Sequence, residues 1–201
     1  MKTKKNLRIE MPSLAEVKRC IEIWNTSDKY EKYRRQEESV NMLFKKQYPK
    51  NTVLEEVLIK VSVLNDFYST NIRDTFSVAK HIVNLNIDDE LCRADTGIVD
   101  RIAQITINEK KWRFYSFATK YCSHHYPNEY PICDNIVSKV LLNFKYKEEF
   151  AKFKKEDIRN YPVFKAIILD FRKFYKLEEF SLKELDKYLW VLGKESFQKT
   201  Q

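Results

Sequence analysis

The stretch Phe114–Val137, FYSFATKYCSHHYPNEYPICDNIV, holds the residue types nearest to chemistry. Lys120 stands near the end of an aromatic segment. A proline-bearing loop follows, and Asp134 opens the next apolar-periodic run. A lysine held among apolar rings loses hydration, so its pKa falls and its amine becomes a nucleophile. A carboxylate across a gap can orient that amine or stabilise a developing positive charge. Lysine with carboxylate is the minimum set for Schiff-base chemistry at a sugar carbon. Lysines are frequent in this chain and Asp134 also reads as an ordinary N-cap, so the pair matters only if the fold brings its two members together.

The same stretch offers other constellations. Cys122, His124, His125 and Cys133 carry the atoms of a zinc site, but C-x-H-H-x7-C matches no common zinc spacing, and no metal is expected. A Cys–His nucleophile at Cys122 lacks an orienting group. His124 and His125 fall in the loop between Lys120 and Asp134, where a histidine can contact a phosphate or a base. His81 reads as structural. Trp112, Phe117 and Tyr121 add aromatic rings to the same part of the chain.

The elements that must position these residues read as helices almost throughout. Ser13-Leu-Ala-Glu16 is a capping box that opens a helix with Leu14, Val17, Ile21 and Trp24 on one stripe. Residues 28–48 are dense in charge and read as a solvated helix, Glu37 and Glu38 outward, that gathers Met42, Leu43 and Phe44 before Pro49. Thr52-Val-Leu-Glu55 is a second capping box, leading into the wide apolar face of Val53, Leu54, Val57, Leu58, Val61 and Leu64. The pattern breaks at Phe67–Asn71 and resumes to Leu85. After Asn108, KKWRFYSFATKYC reads as a basic aromatic helix, and HHYPNEYPIC as a loop. Asp134 then caps a helix bearing Val137, Val140, Leu141 and Phe144. Further helices are expected at about 147–155, 160–175 and 182–192, the last opened by Ser181-Leu-Lys-Glu184. A competing α+β fold needs strands at IVNLNI and YPVFKAIIL.

Composition bounds the function. Over 201 residues, 37 Lys+Arg stand against 29 Asp+Glu, a formal charge of +8, which suits a polyanionic partner or simply a lysine-rich surface. Two glycines exclude a dinucleotide-binding fingerprint and argue against an all-β fold. Hydrophobic content of 43% excludes wholesale disorder. The four cysteines form no C-x-x-C pair, no apolar signal segment opens the chain, and no run approaches the ~18 apolar residues of a membrane span. These features predict a cytoplasmic protein with reduced thiols and no membrane association.

Lys120, a short loop and Pro131-Ile132-Cys133-Asp134 resemble the catalytic stretch of the helix–hairpin–helix (HhH-GPD) DNA glycosylases, above all their 8-oxoguanine branch. In that family a lysine follows the hairpin and an aspartate heads the next helix. Val63-Leu-Asn-Asp-Phe-Tyr-Ser-Thr-Asn-Ile-Arg-Asp74 is similar to the family's Leu-Leu-Ser-Ala-Gln-Ala-Thr-Asp segment, from which a polar side chain fills the gap left by the damaged base. The resemblance covers about residues 52–145. It implies an all-α, two-lobed helical bundle of the glycosylase type, one domain over residues 1–201 with interleaved lobes.

The activity so implied is base-excision repair: a DNA glycosylase/AP lyase that flips a damaged base, such as an oxidised purine, and cleaves its glycosidic bond. Lys120 is the implied nucleophile at C1′ and Asp134 its stabilising carboxylate, and Trp112, Phe117 and Tyr121 are among the rings implied to stack on the extruded base. Ser69, Thr70 and Asn71 fall at the wedge, with Asn71 on the wedge residue itself. The implied partner is double-stranded DNA with a damaged base or an abasic site, bound by a monomer that needs no cofactor. The sequence departs from the family where a glycine-rich Leu-Pro-Gly-x-Gly hairpin should precede Lys120: it reads Asn-Glu-Lys-Lys-Trp-Arg-Phe, with no glycine. Lys110, Lys111 and Arg113 then have to contact phosphate by side chain. The spacing from Lys120 to Asp134 is also shorter than the family's. These departures leave open a non-catalytic, glycosylase-like DNA-binding module, or a helical interaction protein whose charge is incidental.

Overall fold

Side-chain oxygens start several helices where the sequence marks them. In the computed structural model, which describes residues 9–198, Ser13 Oγ accepts from Glu16 N (3.2 Å) at the head of α1 (Leu14–Thr26). Asp74 Oδ1 accepts from Ser77 N (2.9 Å) at the head of α4 (Thr75–Leu85). Asp134 caps α8 (Asn135–Glu148), its Oδ1 accepting from Ile136 N (2.8 Å) and Val137 N (2.9 Å). Ser181 and Glu184 close a reciprocal box before α10 (Leu182–Gln198). Each such cap satisfies amides that a helix start leaves without partners. The box expected at Thr52–Glu55 does not form: α3 (Leu54–Tyr68) starts after Val53, which has no cap bond.

The remaining elements are α2 (Glu31–Met42), α5 (Asp88–Cys92), α6 (Gly97–Ala103), α7 (Tyr115–His125) and α9 (Tyr161–Phe174). A π-helical turn, Leu43–Gln47, extends α2, and a 3-10 turn covers Lys155–Arg159. The chain is mostly α. IVNLNI and YPVFKAIIL fall largely in α4 and α9, so the α+β alternative does not hold. No helix covers 147–155: α8 ends at Glu148, and Phe150 and Phe153 turn into the core instead.

The fold is not purely helical. β1 (Gln104–Ile107) and β2 (Lys110–Arg113) pair antiparallel, from Gln104↔Arg113 to Ile107↔Lys110. The expected basic helix after Asn108 is therefore a strand up to Arg113, and α7 begins only at Tyr115. Asn108 (φ 47) and Glu109 (φ 62) form the two-residue turn. Positive φ at both central residues is the I′ geometry, whose twist matches that of the flanking strands.

The packing forms two groups. α10 lies against α1 and α8, while α3 packs on α4 and α7, and α6 on α7 and α9. α8 and α10 approach closely at Gly193, where a Cβ would collide with Ile136 Cγ2 and lie 3.0 Å from Val140 Cγ2. Both neighbours are β-branched side chains with little freedom to move. Gly193→Ala is expected to destabilise the fold by about 1–3 kcal/mol, seen as a lower urea midpoint at unchanged slope.

Candidate functional site

The strongest candidate is a cavity of about 500 Å³ between the two helical groups. The end of α3 forms one rim. Ser69 (φ 48) and Asn71 (φ 61) take left-handed backbone there. Asn65 holds the turn: its Oδ1 accepts from Thr70 Oγ1 and Ile72 N, both at 2.9 Å, and its Nδ2 donates to Ile72 O. Ser69, Thr70 and Asn71 all line the cavity.

Lys120 and Asp134 line the same cavity, brought there by α7 and the head of α8. Thr119 pins the two together, since its Oγ1 accepts from Cys133 N at 3.2 Å. Lys120 is 5% exposed. Its Nζ donates to Ser116 Oγ at 2.6 Å and lies 5.6 Å from the centre of the Tyr68 ring. Burial lowers its pKa below the ordinary 10.5, only partly countered by Asp134 and Asp186. Burial of this kind favours the neutral amine over the ammonium.

α2 and α10 supply the opposite wall, which sequence reasoning missed. Glu37 lies inward rather than in solvent: it accepts from Lys183 Nζ at 2.6 Å, with Lys187 Nζ at 3.3 Å. Burial works to raise the Glu37 carboxyl, but the two lysines outweigh it and hold the group below its ordinary value. Asp186 lies 3.7 Å from Lys183. The edge of Trp190 meets Trp24 at 5.5 Å, and Lys194 Nζ sits 4.9 Å over the Trp190 ring. Lys183, Asp186, Lys187, Trp190 and Lys194 recur at helical spacing, a signal present in the sequence. A charged stripe of that kind reads by default as a solvated face.

The other expected site residues fall elsewhere. Phe117 and Tyr121 are buried in the core, the Tyr121 hydroxyl donating to Asn51 Oδ1 at 2.6 Å, so neither can receive a base. Trp112 is 47% exposed on β2 and stacks on Phe114 away from the cavity. The cavity's rings are instead Trp24, Tyr33, Phe67, Tyr68 and Trp190. His124 and His125 belong to the last turn of α7 rather than to a loop. His124, 2% exposed, faces Asn41 Oδ1 at 3.3 Å through Nδ1 and the Tyr68 hydroxyl at 2.9 Å through Nε2. Since Asn41 Oδ1 can only accept, Nδ1 carries the proton and Tyr68 donates to Nε2. His125 Nε2 donates to Asn51 Oδ1 at 3.2 Å. Burial keeps both rings neutral, with nearby lysines adding to the effect, and neither is placed to meet a phosphate.

Lys110 and Lys111 are exposed on the hairpin. Arg113 is tied to Asp100 at 2.6 Å and to Arg159 O at 2.5 Å. It borders a smaller hollow of about 290 Å³ that adjoins the main cavity through Ser116, Asp134 and Asn135. Among the described residues no group of three or more His, Cys, Asp or Glu is arranged to hold a metal, and no helix is long and apolar enough to cross a membrane. All four cysteines are free thiols.

Residues 16–129 match a family model named HI_0787_N, described as an N-terminal domain. An uncharacterized protein of Haemophilus influenzae is 45% identical over 152 residues, which is 75% of this chain and 73% of the relative. The chain belongs to the HI_0787_N family. No solved structure matches it. In this HI_0787_N member the matched residues include Glu37, the Ser69–Asn71 rim and Lys120, and they stop short of Asp134 and α10.

Glu37 gives a direct test of the far wall. Glu37→Ala leaves Lys183 and Lys187 without that carboxylate and is expected to lower stability by about 3 kcal/mol at neutral pH. The folded-state pKa of Glu37 is depressed. Its contribution is therefore present above the ordinary 4.5 and is lost as pH falls through the lower folded value. Urea unfolding at neutral and acid pH should show the gap between variant and parent closing in acid.

Proposed function

We propose that the chain is a DNA base-excision glycosylase with AP lyase capability, acting on duplex DNA with a damaged purine. One observation carries this reading. A single cavity gathers a desolvated lysine, a carboxylate at a helix head and a polar left-handed turn, from three separate parts of the chain. That set is what excision through a Schiff base requires: a neutral amine to attack C1′, a negative group to stabilise oxocarbenium character, and a rim side chain to fill the duplex. Lys120, Asp134 and Asn71 fall in the stretches that resemble the HhH-GPD glycosylases, although the hairpin glycines are absent and the lysine-to-aspartate spacing is shorter.

The chemistry follows from the geometry. Lys120 donates one N–H to Ser116 Oγ and keeps its lone pair for C1′. The C1′–N bond breaks, and the base leaves with the bonding pair. Asp134 has Oδ1 committed to two helix amides, while Oδ2 remains for the developing positive charge. Trp190, Trp24 and Tyr33 offer faces and edges for an extruded base, contacts typically worth ~1–3 kcal/mol per base. The purine assignment rests on the resemblance to the 8-oxoguanine branch.

A non-catalytic DNA-binding module is the second reading, and the hairpin favours it. The glycine-free turn at Asn108–Glu109 has side chains where the glycosylase hairpin offers bare backbone to a phosphate.

Borohydride trapping on abasic-site duplex separates the two. The catalytic reading expects a covalent adduct that disappears in Lys120→Ala, with base release falling at least ~1000-fold. Salt-dependent binding with no adduct and no base release leaves only the binding module, and no salt-dependent DNA affinity removes both. Asn71→Ala should cost duplex substrates roughly tenfold, ~1.4 kcal/mol, and single-stranded ones far less, because only a duplex has a gap to fill. Equal losses on both would remove the wedge assignment.

A further inference from the structure

The cavity holds a second carboxylate that the chemistry above does not use. Asp186 projects from α10 into the space that Lys120 and Asp134 share. The two carboxylates differ in what binds them. Asp134 has one oxygen fixed by two backbone amides. Asp186 has Lys183 as its partner, on the same helix and at the long distance of 3.7 Å. Lys183 spends its short contact, 2.6 Å, on Glu37 instead. A largely buried carboxylate left in this way, facing a cavity, is unusual, because burial normally demands partners.

We propose that Asp186 is the general base of the strand-cleaving step, taking the proton from C2′ of the Lys120-linked sugar; this rests on the glycosylase/lyase reading above. The step balances. Lys120, the C1′ aldehyde of an abasic site and one proton from solvent give a protonated imine and water. The Asp186 carboxylate removes a C2′ proton, and the C–H pair becomes the C1′–C2′ double bond of a neutral enamine. That pair then expels the 3′ phosphate with the C3′–O electrons, leaving a conjugated imine that water hydrolyses to free Lys120. The proton remains on Asp186 until solvent takes it.

The surroundings suit a group that must hold a proton and release it. Burial raises the Asp186 carboxyl to about 6; Lys183 pulls against this, Asp134 and Glu37 add to it, and Lys120 opposes it. Lys187, on the same helix, is paired with Glu37. Asp134 and Asp186 thus divide the work: one is fixed in place by two backbone amides, and the other exchanges a proton at about pH 6.

The experiment uses the full chain on an abasic-site duplex and reads two products, the borohydride adduct and the cut strand. Asp186→Asn is expected to trap within about twofold of the parent and to cut about 100-fold more slowly. Asp186→Glu should recover part of the cutting. In the parent, cutting should rise with pH through about 6, and Asp186→Asn should lose that rise. Normal cutting by Asp186→Asn overturns the assignment, and so does a loss of trapping and cutting together, which marks a structural role. A parent profile flat through about pH 6 overturns it without any variant. A parent that binds DNA but forms no adduct brings down the lyase reading and this assignment with it, an outcome distinct from the others.

Discussion

Taking an ammonium out of water is among the most unfavourable steps a fold can make, and this fold makes it several times. The surroundings decide what each lysine becomes. Lys60, fully buried, donates to three oxygens, Tyr48 O, Lys50 O and Asn51 Oδ1, at 2.6–3.1 Å. Burial lowers its pKa to about 8, but its donors are all spent and it acts as a strut. Lys183 has carboxylates at 2.6 and 3.7 Å; these overcome its burial and raise its pKa, so it stays charged. Lys120 meets a hydroxyl and the face of a tyrosine, and the nearby carboxylates lower its cost of burial without closing an ion pair. Of the three, Lys120 is the one that burial shifts downward and that also lines the cavity. The tip of α3, the head of α8 and the wall of α10 all act on that one amine.

A second layer of bonds holds the first in register. Neutral His124 ties Tyr68, whose ring lies beneath the Lys120 amine, to Asn41 on α2. Asn51 Oδ1 receives Lys60, Tyr121 and His125 together, while Asp88 accepts from its amide nitrogens. That hub joins α3, α5 and α7 around a residue outside regular structure. The Tyr161 hydroxyl donates to Pro131 O at 2.9 Å, fixing the loop that leads to Asp134. The rigidity of Lys120 and Asp134 is therefore borrowed from residues that never face the cavity, and polar groups buried this completely lose most when one partner is removed.

What the sequence revealed depended on range. Several local signals held: the caps at Ser13, Asp134 and Ser181 and the apolar face of α8 come from neighbours within four residues, whereas the Thr52 box did not form, Val53 is exposed ahead of α3, and the break expected from Phe67 starts only after Tyr68. The juxtaposition of Asn71, Lys120 and Asp134 came from a resemblance in order and spacing rather than from periodicity. What stayed hidden was pairing at a distance. Glu37 stands in a charge-dense helix and reads as solvated; only α10, far along the chain, turns it into a buried partner. Aromatic position misled for the same reason. Phe117 and Tyr121 share a helix with Lys120, yet that helix turns them to the core, while Trp24 and Trp190 reach the cavity from opposite ends of the chain. The β-hairpin escaped because its turn lacks glycine, the residue by which such turns are usually known.

That hairpin bears on how the surface meets an anion. Left-handed backbone at a non-glycine residue is strained, so a turn built on Asn108 and Glu109 is held in place by the pairing of its two strands. Side chains alternate across a strand, so Lys111 and Arg113 share one face, and Lys110 and Trp112 the other. Arg113 is already engaged by Asp100 and the Arg159 carbonyl, with its guanidinium 4.4 Å over the Tyr115 ring. It serves first to fix the entry to α7, and hence the position of Ser116 and Lys120. Lys110 and Lys111 remain as exposed point charges on a rigid arm. Backbone amides grip a phosphate by directional hydrogen bonds, whereas exposed lysines attract it mainly through a field that salt screens. In the glycosylase reading, replacing a glycine loop by this arm moves phosphate recognition from geometry to charge, and it leaves the accuracy of the site to the cavity walls.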